Sequence, residues 1–193
     1  MFQYGFPTSL IDDVEEVIKI MPTKTYNNVD ILMTGVIFKY YIHGTEIQLP
    51  YRIYCLEPSI DLISRLSKQQ KMILNCIYSR SCDGFVREEN INELLSANYE
   101  AWCIPYIVKV CDEYVVEILE KVYKCLVGQN NENIKKFCKE NKSTFVKSYA
   151  RMISYWNVFY RERCYRYENY IGHKLFMDCF GYTRSMERIG CKR

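Results

Sequence analysis

The 193-residue sequence has no long apolar run: no uninterrupted stretch approaches the roughly 18 residues that a membrane-crossing helix requires, which excludes a helical membrane protein. Glycine is scarce, with 8 residues and none clustered. The backbone cradles that bind phosphates, GxGxxG and the Walker loop, are therefore missing, as is the GxSxG nucleophile elbow. Histidine is scarcer still, since His43 and His173 stand 130 positions apart. No CxxC pair accompanies them, and the paired ligand spacing of a zinc site is lacking. No catalytic residue, cofactor or metal ligand is assigned, and a non-enzymatic protein is favoured over an enzyme. An export signal is also not expected, because Asp12, Asp13, Glu15 and Glu16 occupy the place of a leader's apolar core.

What the chain does have is sulfur and aromatic rings: 10 Cys, 7 Met, 18 Tyr, 9 Phe and 2 Trp. So many cysteines suggest a disulfide framework, but without an export signal that reading weakens. Cys76, Cys111 and Cys125 lie inside apolar periodic segments, where a free thiol acts as a small hydrophobe. The cysteines thus read as reduced core filler in a cytoplasmic protein. Hydrophobic residues at 49% and charged residues at 25% fit one globular domain over 1–193.

The periodicity predicts an α+β fold that is predominantly helical, with a small N-terminal β-hairpin of two or three strands on a bundle of about six helices. Residues 9–20 place Leu10, Val14, Val17 and Ile18 on one helical face behind a Ser cap. Residues 29–54 turn β-branched and aromatic, broken at His43-Gly44-Thr45, and Pro50 marks a strand start or edge. The change of character near residue 57 separates this unit from a helical body over 58–193. Helices are predicted at 68–80, about 85–97, 105–127, 131–140, 144–168 and 169–179. The 105–127 helix would be the central one, started by Pro105 and stopped by Gly128.

Three constellations carry charge or rings in informative patterns. Arg80 lies four residues after Cys76 and Arg87 four before Ile91, so both arginines continue an apolar stripe and point inward. Asp83 between them suits both a helix cap and forked arginine hydrogen bonds. A structural staple is favoured, with a phosphate or carboxylate site as the rival. Glu113 and Glu117 stand one turn apart with Lys109 and Lys121 at four-residue spacing, which reads first as a solvated face. A Glu113 turned toward the arginines would merge the two sets into one network.

The third constellation is C-terminal. Residues 142–193 carry 11 Lys and Arg against 4 Asp and Glu, a net of +7, so residues 1–141 carry −4 to give the overall +3. Arg151, Arg161, Arg163 and Arg166 stand among Tyr155, Trp156, Phe159, Tyr160 and Tyr165. That composition suits an interaction surface, for protein first and nucleic acid second. However, Tyr149, Met152, Ile153, Trp156, Phe159 and Tyr160 also form a helical stripe of the kind found in cores. Core packing, with the basic residues complementing the acidic N-terminal portion within one chain or between two, is favoured for the stretch as a whole.

The runs ILNCIYSRSCDGFVREENINELL, WCIPYIVKVCDEYVVEILEKVY and RMISYWNVFYRERC together resemble an uncharacterised family of bacterial proteins of about this length. The family signature, Tyr-Thr-Arg-x-x-Asp-Gly-x-Val-Arg, precedes a Pro-x-Ile and a Glu-Tyr-Val helix. Here it meets Tyr78, Arg80, Asp83, Gly84, Val86 and Arg87, then Pro105, Ile107, Glu113, Tyr114 and Val115. Ser79 replaces the Thr, and Ser81-Cys82 stand where histidines can occur. The resemblance spans most of residues 50–180; it implies a bacterial origin and a helical body, and no activity.

The expected function is a non-enzymatic protein-binding or regulatory module of the cytoplasm. Its partner would be another protein or a second copy in a homodimer, with no membrane. One alternative is a small-molecule binding protein or enzyme whose pocket is organised by Arg80, Asp83, Arg87 and Glu113. The other, less favoured, is nucleic-acid binding through the basic aromatic C-terminal helices.

Overall fold

The computed structural model describes residues 2–22, 32–33 and 35–189, so positions 29–31 and 34 of the expected β region lie outside the described residues. The chain is an α+β protein, mainly helical, and it clusters into two compact units, Met1–Tyr106 and Ile107–Arg193. Among the described residues no helix is long and apolar enough to cross a membrane.

In the first unit, α1 (Ile11–Ile20) buries Val14 and Val17, and Ser9 falls in a 3-10 turn before it without capping it. Strand β1 (Leu32–Met33) pairs with β4 (Ile53–Tyr54), and β2 (Ile37–Ile42) pairs antiparallel with β3 (Thr45–Pro50). The β2–β3 loop is the two residues His43 and Gly44, both at positive φ (51° and 79°). That is the backbone of a turn whose twist matches the strands, and glycine takes it without strain. Pro50 ends β3 instead of starting a strand, since it has no N–H for the ladder.

Three helices follow. These are α2 (Ile60–Ser64), α3 (Lys68–Tyr78) and α4 (Gly84–Ser96). Helix α3 starts in a capping box, Ser67 accepting from the Gln70 N–H while the Gln70 side chain accepts from the Ser67 N–H. Asp13 of α1 receives both Gln69 (2.6 Å) and Gln70 (2.9 Å), which fixes α1 against the start of α3. The apolar spacing predicts Met72, Ile73, Cys76 and Ile77 inward on α3 and Ile91, Leu94 and Leu95 inward on α4; all are buried except Leu95, which is half-buried. At the end of the unit Phe6 stacks on Tyr106 with ring centroids 5.4 Å apart, and the Tyr106 hydroxyl donates to Gly5 O at 3.0 Å.

The helix expected over 105–127 is not continuous. It is α5 (Ile104–Val110) and α6 (Val116–Leu126), separated by an irregular stretch at 111–115. The second unit continues through α7 (Glu132–Glu140), α8 (Lys142–Tyr155), a π-helical turn (Trp156–Tyr160), α9 (Ile171–Lys174) and a second π turn (Leu175–Cys179). The helix predicted over 144–168 thus ends early. The Trp156 indole N–H donates to Cys164 O at 2.9 Å and the Tyr160 hydroxyl donates to Tyr114 O, which reverses the chain there. Of the expected 149–160 stripe, Tyr149 and Met152 are buried and Phe159 is exposed.

The aromatic core of this unit is built on Phe145. It stacks on Phe176 with centroids 5.3 Å apart and meets Phe180 and Tyr182 edge-on. Gly172 permits the close approach of α9 to α8: a Cβ there would stand 2.7 Å from the Tyr170 ring and 2.9 Å from the Met152 side chain. Both neighbours are buried. Gly172→Ala is therefore expected to cost about 1–3 kcal/mol of stability through overpacking, read as a lower urea midpoint at unchanged slope.

Candidate functional site

The arginine corner forms where α3 ends. Arg80 and Arg87 are fully buried, as the stripe spacing predicted. Arg80 donates through Nε to Pro50 O (3.2 Å) and through its terminal nitrogens to Tyr51 O (2.6 Å) and Ser79 O (3.4 Å). Arg87 donates to Ser81 O (2.9 Å) and Cys82 O (3.0 Å). The backbone joins the same clamp, for Ile53 N–H donates to Arg80 O at 2.8 Å and Cys82 N–H to Ile53 O at 2.9 Å. Asp83 is exposed and caps α4 by accepting from the Phe85 N–H at 2.8 Å. The corner can hold strand, turn and helix in one geometry.

Beside it lies an open cavity of about 240 Å³ that sequence reasoning missed, lined by Glu57, Lys71, Asn75, Glu89, Asn90 and Glu93 with Ile63 and Leu74. Asn90 bridges its wall, donating to Glu57 (3.0 Å) and Val86 O (2.9 Å). Only i, i+4 spacing within α3 and α4 hinted at these residues meeting.

Glu113 belongs to the second unit, in the break between α5 and α6, and there it is buried. The solvated face expected for Lys109 and Glu113 is not observed. Lys109 is buried too, and only Glu117, on the first turn of α6, is exposed. The break re-phases the chain, so a wheel drawn through 105–127 mixes two faces. At its centre is Asp112, a residue the sequence reading passed over. Its carboxylate accepts from Lys109 Nζ (2.5 Å), Ser148 Oγ (2.8 Å) and an Arg151 terminal nitrogen (2.8 Å). Lys109 and Asp112 have no exposed side-chain surface, and Arg151 keeps 31% of its own. Arg151 is thus drawn into this cluster, apart from the other C-terminal arginines.

Those others line an exposed face. Val158 (69% exposed), Phe159 (56%) and Tyr165 (75%) surround an open cleft of about 430 Å³ with Asn157, Arg161 and Glu162. Arg163 and Arg166 are exposed beside it. Tyr155 is half-buried, its ring packed on Tyr114 and Phe159. The Arg161 guanidinium sits 6.0 Å from the Trp156 ring and 5.9 Å from the Tyr165 ring, at the outer reach of a cation–π contact.

Behind this face runs a chain of hydroxyls. Tyr167 donates to the Tyr149 oxygen, which leaves the Tyr149 hydrogen for His173 Nδ1 at 3.2 Å. Burial, and then the bond to Tyr149, push the Tyr167 phenol up, so both tyrosines stay protonated. Burial lowers His173 below its ordinary value near 6.5, against the opposing pull of Glu168 and Asp178 and with Arg184 adding to the lowering. A neutral imidazole accepting at Nδ1 fits that direction. Among the described residues no group of three or more His, Cys, Asp or Glu is placed to hold a metal ion. Burial pushes the Cys76, Cys111 and Cys138 thiols well above their ordinary range, which suits filler and not nucleophiles.

Two expectations follow from these clusters. Asp112→Asn leaves a buried ammonium facing a neutral amide and is expected to cost about 3–5 kcal/mol in denaturant unfolding. For His173 the folded state binds fewer protons than the unfolded one. Its contribution to stability is therefore complete above about pH 6.5 and lost as the pH falls toward the lower folded-state value. His173→Gln should flatten that part of the stability profile relative to wild type, measured by thermal melts between about pH 5 and 8. Compared with known protein families, curated proteins and solved structures, the chain matches none of them.

Proposed function

We propose that this chain is a non-enzymatic protein-binding module of the bacterial cytoplasm, and that its contact face is the segment from Tyr155 to Arg166. The observation that carries the reading is the clustering of Val158, Phe159 and Tyr165, more than half exposed, around one cleft beside Arg161. Apolar and aromatic side chains grouped with arginine are what interface centres are made of, whereas single exposed hydrophobes are ordinary. The π turn that builds this face is a conformation found disproportionately at functional positions. The free, buried thiols of Cys55, Cys76, Cys103, Cys111, Cys138 and Cys179 support a reducing compartment.

The rival readings draw less support. Arg80 and Arg87 direct the bonds described above to backbone carbonyls, which favours a staple over an anion site. Arg161, Arg163 and Arg166 stand with Glu162 and Glu168 over residues 155–170, three cations against two anions, a weak field for nucleic acid.

A photo-crosslinking amino acid tests the proposal when placed singly at Val158, Tyr165, Ile60 or Phe85 in the producing cell. The last two are 84% exposed and lie in the first unit. Discrete protein adducts at the first two positions and none at the controls are expected. No adduct at 158 and 165, or the same adducts at all four, would overturn the reading.

A further inference from the structure

Arg161 and Glu162 are chain neighbours, both exposed, and both line the cleft that Val158 and Phe159 also line. An apolar centre flanked by adjacent opposite charges is complementary to itself: turned about a two-fold axis, each charge meets the other kind on the second copy. We infer that the occupant of this face is a second copy of this chain. In that dimer Arg161 of each copy meets Glu162 of the other, across a contact centred on Val158 and Phe159. The inference rests on the protein-binding reading and names its partner.

Three further observations carry it. The near balance of charge over residues 155–170 selects neither a strongly acidic nor a strongly basic partner, and self-association needs neither. Tyr114, 46% exposed, packs its ring against Tyr155 and Phe159. This extends the apolar strip beyond the cleft itself. Arg161 is already held, donating to Asn157 Oδ1 at 3.0 Å, so pairing it across the axis costs less side-chain freedom.

The test is self-association by sedimentation velocity over about 1–300 µM, a range that brackets a dimer of modest strength. Wild type should pass from monomer to dimer mass. Phe159→Ser, at an exposed site, should abolish the dimer while leaving the melting temperature unchanged at a concentration where wild type is monomeric. Arg161→Glu and Glu162→Arg each set like charges against one another twice and should weaken the dimer about tenfold or more. An equimolar mixture of those two variants restores opposite charges at every cross-axis pair, and a mixed dimer of wild-type strength should form. A wild type that stays monomeric, or a mixture no better than its components, overturns the second copy as occupant. If cross-links from 158 and 165 to a different protein persist in that case, the protein-binding reading stands while this inference falls. If those cross-links are also missing, both fall.

Discussion

The Asp112 carboxylate is out of reach of water, and three donors close around it: Lys109, Ser148 and Arg151. A buried charge is tolerable only when it is paired and its lone pairs are used, so each donor that leaves makes the Asp112 carboxylate costlier to bury. The consequence is geometric before it is energetic. Lys109 sits in the last turn of α5, while Ser148 and Arg151 sit one turn apart on α8. One carboxylate therefore fixes where the first helix stops and anchors the middle of the second. Helix α8 continues directly into the π turn that carries Phe159, and the Tyr160 hydroxyl returns to the carbonyl of Tyr114 inside the same break. The exposed face thus inherits its position from the cluster that anchors α8.

That dependence explains which parts of the molecule can be read in the sequence. The β2–β3 turn is legible because His43-Gly44 sits between two β-branched runs, and local chemistry decides such a turn. The inward arginines are legible because Arg87 keeps helical register with Ile91 inside α4, and Arg80 follows Cys76 by four residues in the turn that ends α3. The α5–α6 break is not legible from a wheel, because a wheel assumes one phase from Pro105 to Val127 and so places Lys109, Glu113 and Glu117 together. The one local signal was Asp112 itself, a poor helix-interior residue whose short side chain competes for backbone and side-chain partners. Its captors Ser148 and Arg151 lie far away in sequence, and no window reaches them. The 149–160 stripe fails for a related reason: the wider turn at Trp156–Tyr160 shifts the phase, so Phe159 leaves the face that Tyr149 and Met152 share.

The two units treat buried cations differently. In the first, the guanidinium groups of Arg80 and Arg87 meet backbone carbonyls, so the helix turn and the Pro50–Tyr51 strand end are joined through dipoles. The planar fork of a guanidinium suits several carbonyls at once, which makes it an effective fastener. In the second, Lys109 and Arg151 share a carboxylate, and the nearby His173 accepts from a phenol. Acid acts there through the imidazole, since its protonation removes the acceptor that the Tyr167–Tyr149 chain ends on. That imidazole belongs to the unit that carries the exposed aromatic face.

Exposed hydrophobes alone do not mark that face, since Ile60 and Phe85 are more exposed than any of its members. The difference lies in company. Phe159 is in ring contact with Tyr114, Tyr155 and Tyr160, and Val158 and Tyr165 share its cleft, so the apolar surface is contiguous. A contiguous patch held out by a backbone that could have buried it is under a constraint other than folding. The charge pattern narrows that constraint. Of the basic residues of 142–193, Lys142, Lys147, Lys174 and Arg184 do not line the cleft, whose lining offers one arginine and one glutamate side by side. A surface meant for a polyanion would concentrate its cations where its rings are. The cleft lining sets a pair of opposite charges at the rings instead, and its simplest complement is the same pair turned through half a rotation.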